Sequence, residues 1–280
     1  MSKSLINWWV IYFNFVTVLL LSACSTGDGA YSTSRLAKAQ AMFDQRCKGA
    51  GERIYKVVKS VDGVFLVKIR PKKVNYGEQF LFSDPYGNDL GGDSYIASFL
   101  RGNSHVGAES PPAPGSPPRI GYNYVEAVDP ADGRRYRYSG RIEEPWQTNK
   151  SYLKGYLKFY MDRALATGVA PRYGITYEDI STHEEREYWI AGSSLKIIDM
   201  LTNEVLAERV GYMIDLSQGS TERGRSPWLF AAEHACPSFA RNPLLALPTG
   251  QAARAQLRQT LDFTEKVLQP RLDAGDKNDN

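Results

Sequence analysis

The stretch LKIIDMLTNEVLAERVGYMI, residues 195–214, holds two apolar runs, Leu195 to Leu201 and Val205 to Ile214, separated by a break at Thr202-Asn203. Apolar side chains occupy both alternating faces of each run, the pattern of central strands covered on both sides. The strand pattern extends upstream to Leu153, with breaks at Gly168 to Pro171 and near Thr182. Two hairpins are expected earlier in the chain. One pairs Ile54 to Lys59 with Val64 to Arg70 across Asp62-Gly63, and the other pairs Gly121 to Val128 with Arg134 to Ile142 across Asp132-Gly133. Asp-Gly is a strong turn signal because both residues tolerate the positive φ of a tight turn.

Helices are expected at the two ends. Leu36, Ala39, Phe43 and Cys47 recur at helical spacing from about Thr33, and Ala253, Leu257, Leu261 and Leu268 line one side of a closing helix over residues 252–268. A short helix is expected from Ser94 to Leu100, followed by an extended loop from Gly102 to Pro118 that carries five of the 15 prolines. The fold class is therefore α+β: a mainly antiparallel sheet of hairpins and meander, flanked by N- and C-terminal helices, in one domain over residues 33–270. Residues 271–280 form a polar tail.

Length and composition set outer bounds. A chain of 280 residues with 42% hydrophobic and 23% charged side chains buries a large core and is neither disordered nor a small disulfide-stapled scaffold. The 34 basic and 31 acidic residues leave a net charge of +3, too small for a phosphate-dominated nucleic-acid interface. No nucleic-acid partner is expected.

The N-terminus reads as an address. Lys3 precedes an apolar run from Trp8 to Leu21, too short to span a bilayer, and small residues follow it. The run ends in Leu21-Ser22-Ala23-Cys24, which resembles the lipobox of bacterial lipoproteins. The resemblance covers about 25 residues and no more. It implies a signal peptide over residues 1–23, cleavage before Cys24, acylation of the Cys24 thiol, and a lipidated tether over residues 24–32. Ser25, where an Asp commonly retains such proteins in the inner membrane, implies sorting to the outer membrane with the domain facing the periplasm. The membrane is then a partner through acyl chains on Cys24, since two or three chains hold stably where one does not.

Cys47 and Cys236 remain, and an even pair in an exported chain reads as a disulfide. The alternative takes Cys236, two residues after His234, as a nucleophile beside a base.

Other candidate chemistry is thin. His105, His183 and His234 lack the paired spacing of a helical zinc site, and Asp84, Asp89 and Asp93 do not fit the calcium-binding EF-hand loop. Ser193 and Ser194 lack a nucleophile-elbow context, and no phosphate-binding glycine loop is present. No metal and no cofactor are expected. Two basic and aromatic stretches remain as contact surfaces. In the first, alternation puts Arg135 and Arg137 on one face of a strand and Tyr136 and Tyr138 on the other; the second is a loop with Arg223, Arg225 and Trp228. The functional expectation is a lipid-anchored protein that binds or scaffolds an envelope protein or glycan without chemistry. The alternative is a periplasmic hydrolase using Cys236 or a Ser with His234.

Overall fold

The computed structural model describes residues 27–84, 89–101, 121–143, 158–239 and 251–271. The expected loop from Gly102 to Pro118, Cys24 with the expected signal peptide, and the expected polar tail beyond Arg271 lie outside them.

The fold is α+β, built on one mixed sheet. In chain order its strands are β1 (Gly51–Ile54), β3 (Gly63–Leu66), β4 (Tyr124–Val128), β5 (Arg135–Glu143), β6 (Lys158–Leu165), β7 (Tyr173–Asp179), β8 (Ile190–Asp199), β9 (Glu204–Ile214) and β10 (Ala235–Cys236). They lie in the order β1-β9-β8-β7-β3-β4-β5-β6, with β10 also on β9. Pairing is antiparallel except at β3, which runs parallel to both β4 and β7. A two-stranded parallel sheet joins β2 (Val58–Val61) to β11 (Leu268–Pro270).

The expected β8–β9 pair is present in register from Ile190↔Ile214 to Asp199↔Glu204. The hairpin across Asp132-Gly133 is present as β4–β5, with Gly133 at φ 69°. The hairpin across Asp62-Gly63 is not: β2 turns away to β11, and β3 enters the middle of the sheet. Gly63 is needed there for space rather than for a turn. A Cβ on it would lie 2.4 Å from the Tyr124 ring, which packs over the start of β3.

Because side chains alternate along a strand, Ile190 and Ala191 face opposite sides of the sheet. Helix α1 (Gly27–Cys47) covers one side, laying Ala39 and Phe43 onto Ile190, Tyr212 and Ile214. It starts at Gly27, so residues 27–32, expected as tether, are helical. The other side carries the main core. Val64, Leu66, Val125, Ile175 and Ile197 meet Tyr95, Ile96 and Phe99 of α2 (Gly92–Arg101) and Leu261, Phe263 and Val267 of α6 (Gln259–Val267). Each such side chain contributes about 1.5–3 kcal/mol by leaving water. The expected closing helix is two helices, α5 (Gln251–Gln256) and α6, followed by β11.

Two short helices complete the chain, α3 (His183–Glu187) and α4 (Pro227–Ala231). Thr182 and Glu185 form a reciprocal capping box on α3, which satisfies two otherwise unpaired backbone donors. Among the described residues no helix is long and apolar enough to cross a membrane.

Candidate functional site

Cys47 and Cys236 form a disulfide, with Cα atoms 5.6 Å apart. It ties the end of α1 to β10, and it removes the thiol that a Cys236 nucleophile would need. His234 stands exposed in a short turn before β10. Ser194 donates its hydroxyl to Glu208 Oε1 at 2.7 Å, and Ser193 is buried in the same strand. No Ser–His pair is formed by these residues.

The two basic stretches are largely engaged within the fold. Arg137 donates to Glu126 Oε1 at 2.8 Å and Arg135 approaches Oε2 at 3.3 Å, so both guanidiniums neutralise one fully buried carboxylate on the neighbouring strand. Arg137 also lies 4.0 Å over the Tyr124 ring. On the other face of β5, Tyr138 is buried and Arg163 stacks on Tyr136 at 3.5 Å. Arg225 grips Asp215 with both terminal nitrogens and lies over Phe230. Trp228 is 1% exposed, donates its indole N–H to the Glu78 carbonyl at 3.1 Å, and packs against Trp189. It fills the core and presents no face to a partner. Arg223 stays exposed, at φ 57°.

Sequence reasoning missed a chain of buried polar groups that fastens residues 67–84 and 89–91 to the rest of the fold. Arg70 donates to Asp84 Oδ1 at 2.7 Å, and its other terminal nitrogen lies 3.6 Å from Asp89 Oδ2. Thr260 donates to the same Asp89 oxygen at 2.9 Å. Gln259, beside it on α6, accepts from buried Arg209 at 3.2 Å. Arg186, also buried, pairs with Asp179 and donates to Ser181. Burial pushes the carboxyls of Asp84 and Asp89 upward, against the pull of Arg70. It also pushes the Tyr177 hydroxyl, under the Arg70 guanidinium, up to about 12. Of the three aspartates, Asp84 and Asp89 are thus both paired with Arg70, and Asp93 lies in the first turn of α2. Among the described residues no group of three or more His, Cys, Asp or Glu side chains could hold a metal ion.

Among the described residues, a cleft of about 530 Å³ lies between α2 and the α5–α6 junction, beside the edge strand β6. Helix α2 has two faces. Tyr95, Ile96, Phe99 and Leu100 point into the core, whereas Asp93, Ser94, Ala97, Ser98 and Arg101 line the cleft. Phe159 and Met161 of β6 and Leu257 and Leu261 opposite give it an apolar floor and wall. Arg101 lies 5.0 Å over the Phe159 ring at one rim. Small residues along a helix face allow close approach, and an apolar floor with a few polar rim groups is the usual make-up of a binding cleft. The sequence signal was available in the small residues Ser94, Ala97 and Ser98 at helical spacing. A second hollow of about 410 Å³, beside Glu52, Arg209 and Lys266, is crossed by ion pairs among those residues.

No family model, curated protein or solved structure matches this chain.

Proposed function

We propose that this protein is a lipid-anchored component of the bacterial outer membrane whose periplasmic domain binds another envelope component, a protein segment or a glycan, and performs no chemistry. The observation that carries the reading is the Cys47–Cys236 disulfide. It fits an oxidising compartment, and it leaves Cys24 as the remaining cysteine of three. The cleft beside α2 supports a binding role: Phe159, Met161, Leu257 and Leu261 give it an apolar lining, and Ser98 donates to the Tyr95 carbonyl rather than to a base. The hydrolase alternative loses its Cys236 nucleophile to the disulfide.

Labelling cells with radioactive palmitate tests the anchor: the wild-type protein takes up label and Cys24→Ala does not. Ala97→Trp tests the cleft by filling it from the exposed side of α2. In intact-cell crosslinking it loses the adduct that the wild-type protein forms, while its thermal midpoint is unchanged. An undiminished adduct would remove the cleft from the reading.

A further inference from the structure

The helix that follows the lipidation position is part of the packed domain, and this fixes which corner of the molecule lies nearest the bilayer. Arg35 of α1 donates to the Glu187 carbonyl, and Gln79 donates to the same oxygen at 3.0 Å. The departing helix and the loop carrying Phe80 therefore meet at one point. From Arg35 back to Gly27 the helix runs about 12 Å at 1.5 Å per residue. Three further residues to Cys24 reach at most about 11 Å. A thioether on Cys24 thus brings the bilayer to within about 25 Å of the Arg35–Gln79 junction.

That corner carries exposed aromatic rings. Phe80, 43% exposed, stacks on His183 with ring centroids 4.4 Å apart, and Tyr76, 52% exposed, stands four residues before it. Arg35 and Lys38 of α1 both lie over the Tyr188 ring, and Lys73 is exposed on the same loop. Glu78, Glu184 and Glu187 pair with Lys73, Lys38 and His183, so no strong net charge repels anionic headgroups. Aromatic rings beside long cationic side chains suit the headgroup level of a bilayer, where one end of each group is apolar and the other wet.

We propose that the loop bearing Tyr76 and Phe80, together with the exposed side of α1, seats on the bilayer surface and fixes the domain's orientation. This rests on the acylation of Cys24 proposed above. The opposite end of the sheet then faces away from the membrane. Strand β8 begins at Ile190, beside α1, and runs about 30 Å to Asp199, past which Leu201 is 77% exposed.

With Cys47 and Cys236 bonded and Cys24 acylated, a cysteine introduced by Glu78→Cys or Leu201→Cys is the one thiol open to a maleimide dye. Each lipidated full-length variant is reconstituted into vesicles of phosphatidylethanolamine and phosphatidylglycerol that contain a spin-labelled lipid. The dye at 78 is expected to be quenched several-fold more than the dye at 201. Adding Tyr76→Ser and Phe80→Ser to the Glu78→Cys variant is expected to bring its quenching down to the level at 201, with near-ultraviolet circular dichroism unchanged. Vesicle flotation with equal quenching at both positions overturns the seating alone. Failure of the wild-type protein to float with the vesicles overturns the seating and the acylation together.

Discussion

Arg70 sits between Asp84 and Asp89 with all three groups out of water, so each depends on the others for its charge to be tolerable. Arg70→Leu would strand two carboxylates, and the expected loss is about 3–5 kcal/mol, read from the urea midpoint. The pair also sets a pH dependence. Both carboxyls are raised above their ordinary value of 3.8, chiefly by burial. The folded state therefore holds protons that the unfolded state releases. Their stabilising contribution is fully present below that ordinary value and is lost as pH rises through the raised values. Asp89→Asn should flatten this decline, since the amide oxygen can still accept from Thr260. Urea midpoints of both proteins between about pH 4 and 7 check it, and equal slopes would contradict the assignment. None of this could be read in the sequence, where aspartates next to proline and glycine look like turn residues. Arg70, which pairs with both, stands 14 residues from Asp84 and farther still from Asp89.

Elements that follow local patterns were legible. Helical spacing located the buried stripe of α1 and its terminal Cys47, and continuous apolar runs located β8 and β9. What local pattern cannot convey is which strand pairs with which. Strand β3 is fully buried, and its parallel neighbours β4 and β7 come from distant parts of the chain. The adjacent Asp62-Gly63 therefore suggested a hairpin that does not form. The closing helix divides at residues 257–258, where Leu257 and Arg258 turn toward the cleft. The cleft was missed because its lining comes from three elements that no single periodic pattern joins. At this scale the disulfide makes a direct prediction. It spans 189 residues of sequence, for which chain-entropy arguments give at most about 5 kcal/mol. The Cys47→Ala and Cys236→Ala pair should lower the thermal midpoint and increase amide exchange at the C-terminal end of α1 first, because the disulfide ties that end to β10. An unchanged exchange pattern would show that the packing of Ala39 and Phe43, with the polar ties of Arg35, Lys38 and Arg46, suffices to hold the helix.

Over the whole molecule, the two ends of the domain are interlocked. Strand β11 pairs with β2, α6 supplies Leu261, Phe263 and Val267 to the main core, and Lys266 pairs with Glu52 of β1. Ending the chain at Arg258 should therefore leave no folded domain, seen as loss of near-ultraviolet circular dichroism. A cooperative thermal transition in the shortened chain would contradict this.

The pairing of β2 with β11 also bears on the order in which the fold is completed. Any channel that passes this polypeptide N-terminus first delivers the partner of β2 some two hundred residues later. Until Leu268 emerges, the core shared by β3 and α2 lacks the cover of Leu261, Phe263, Val267 and Leu268. During that interval the incomplete chain presents sticky apolar surface to its surroundings.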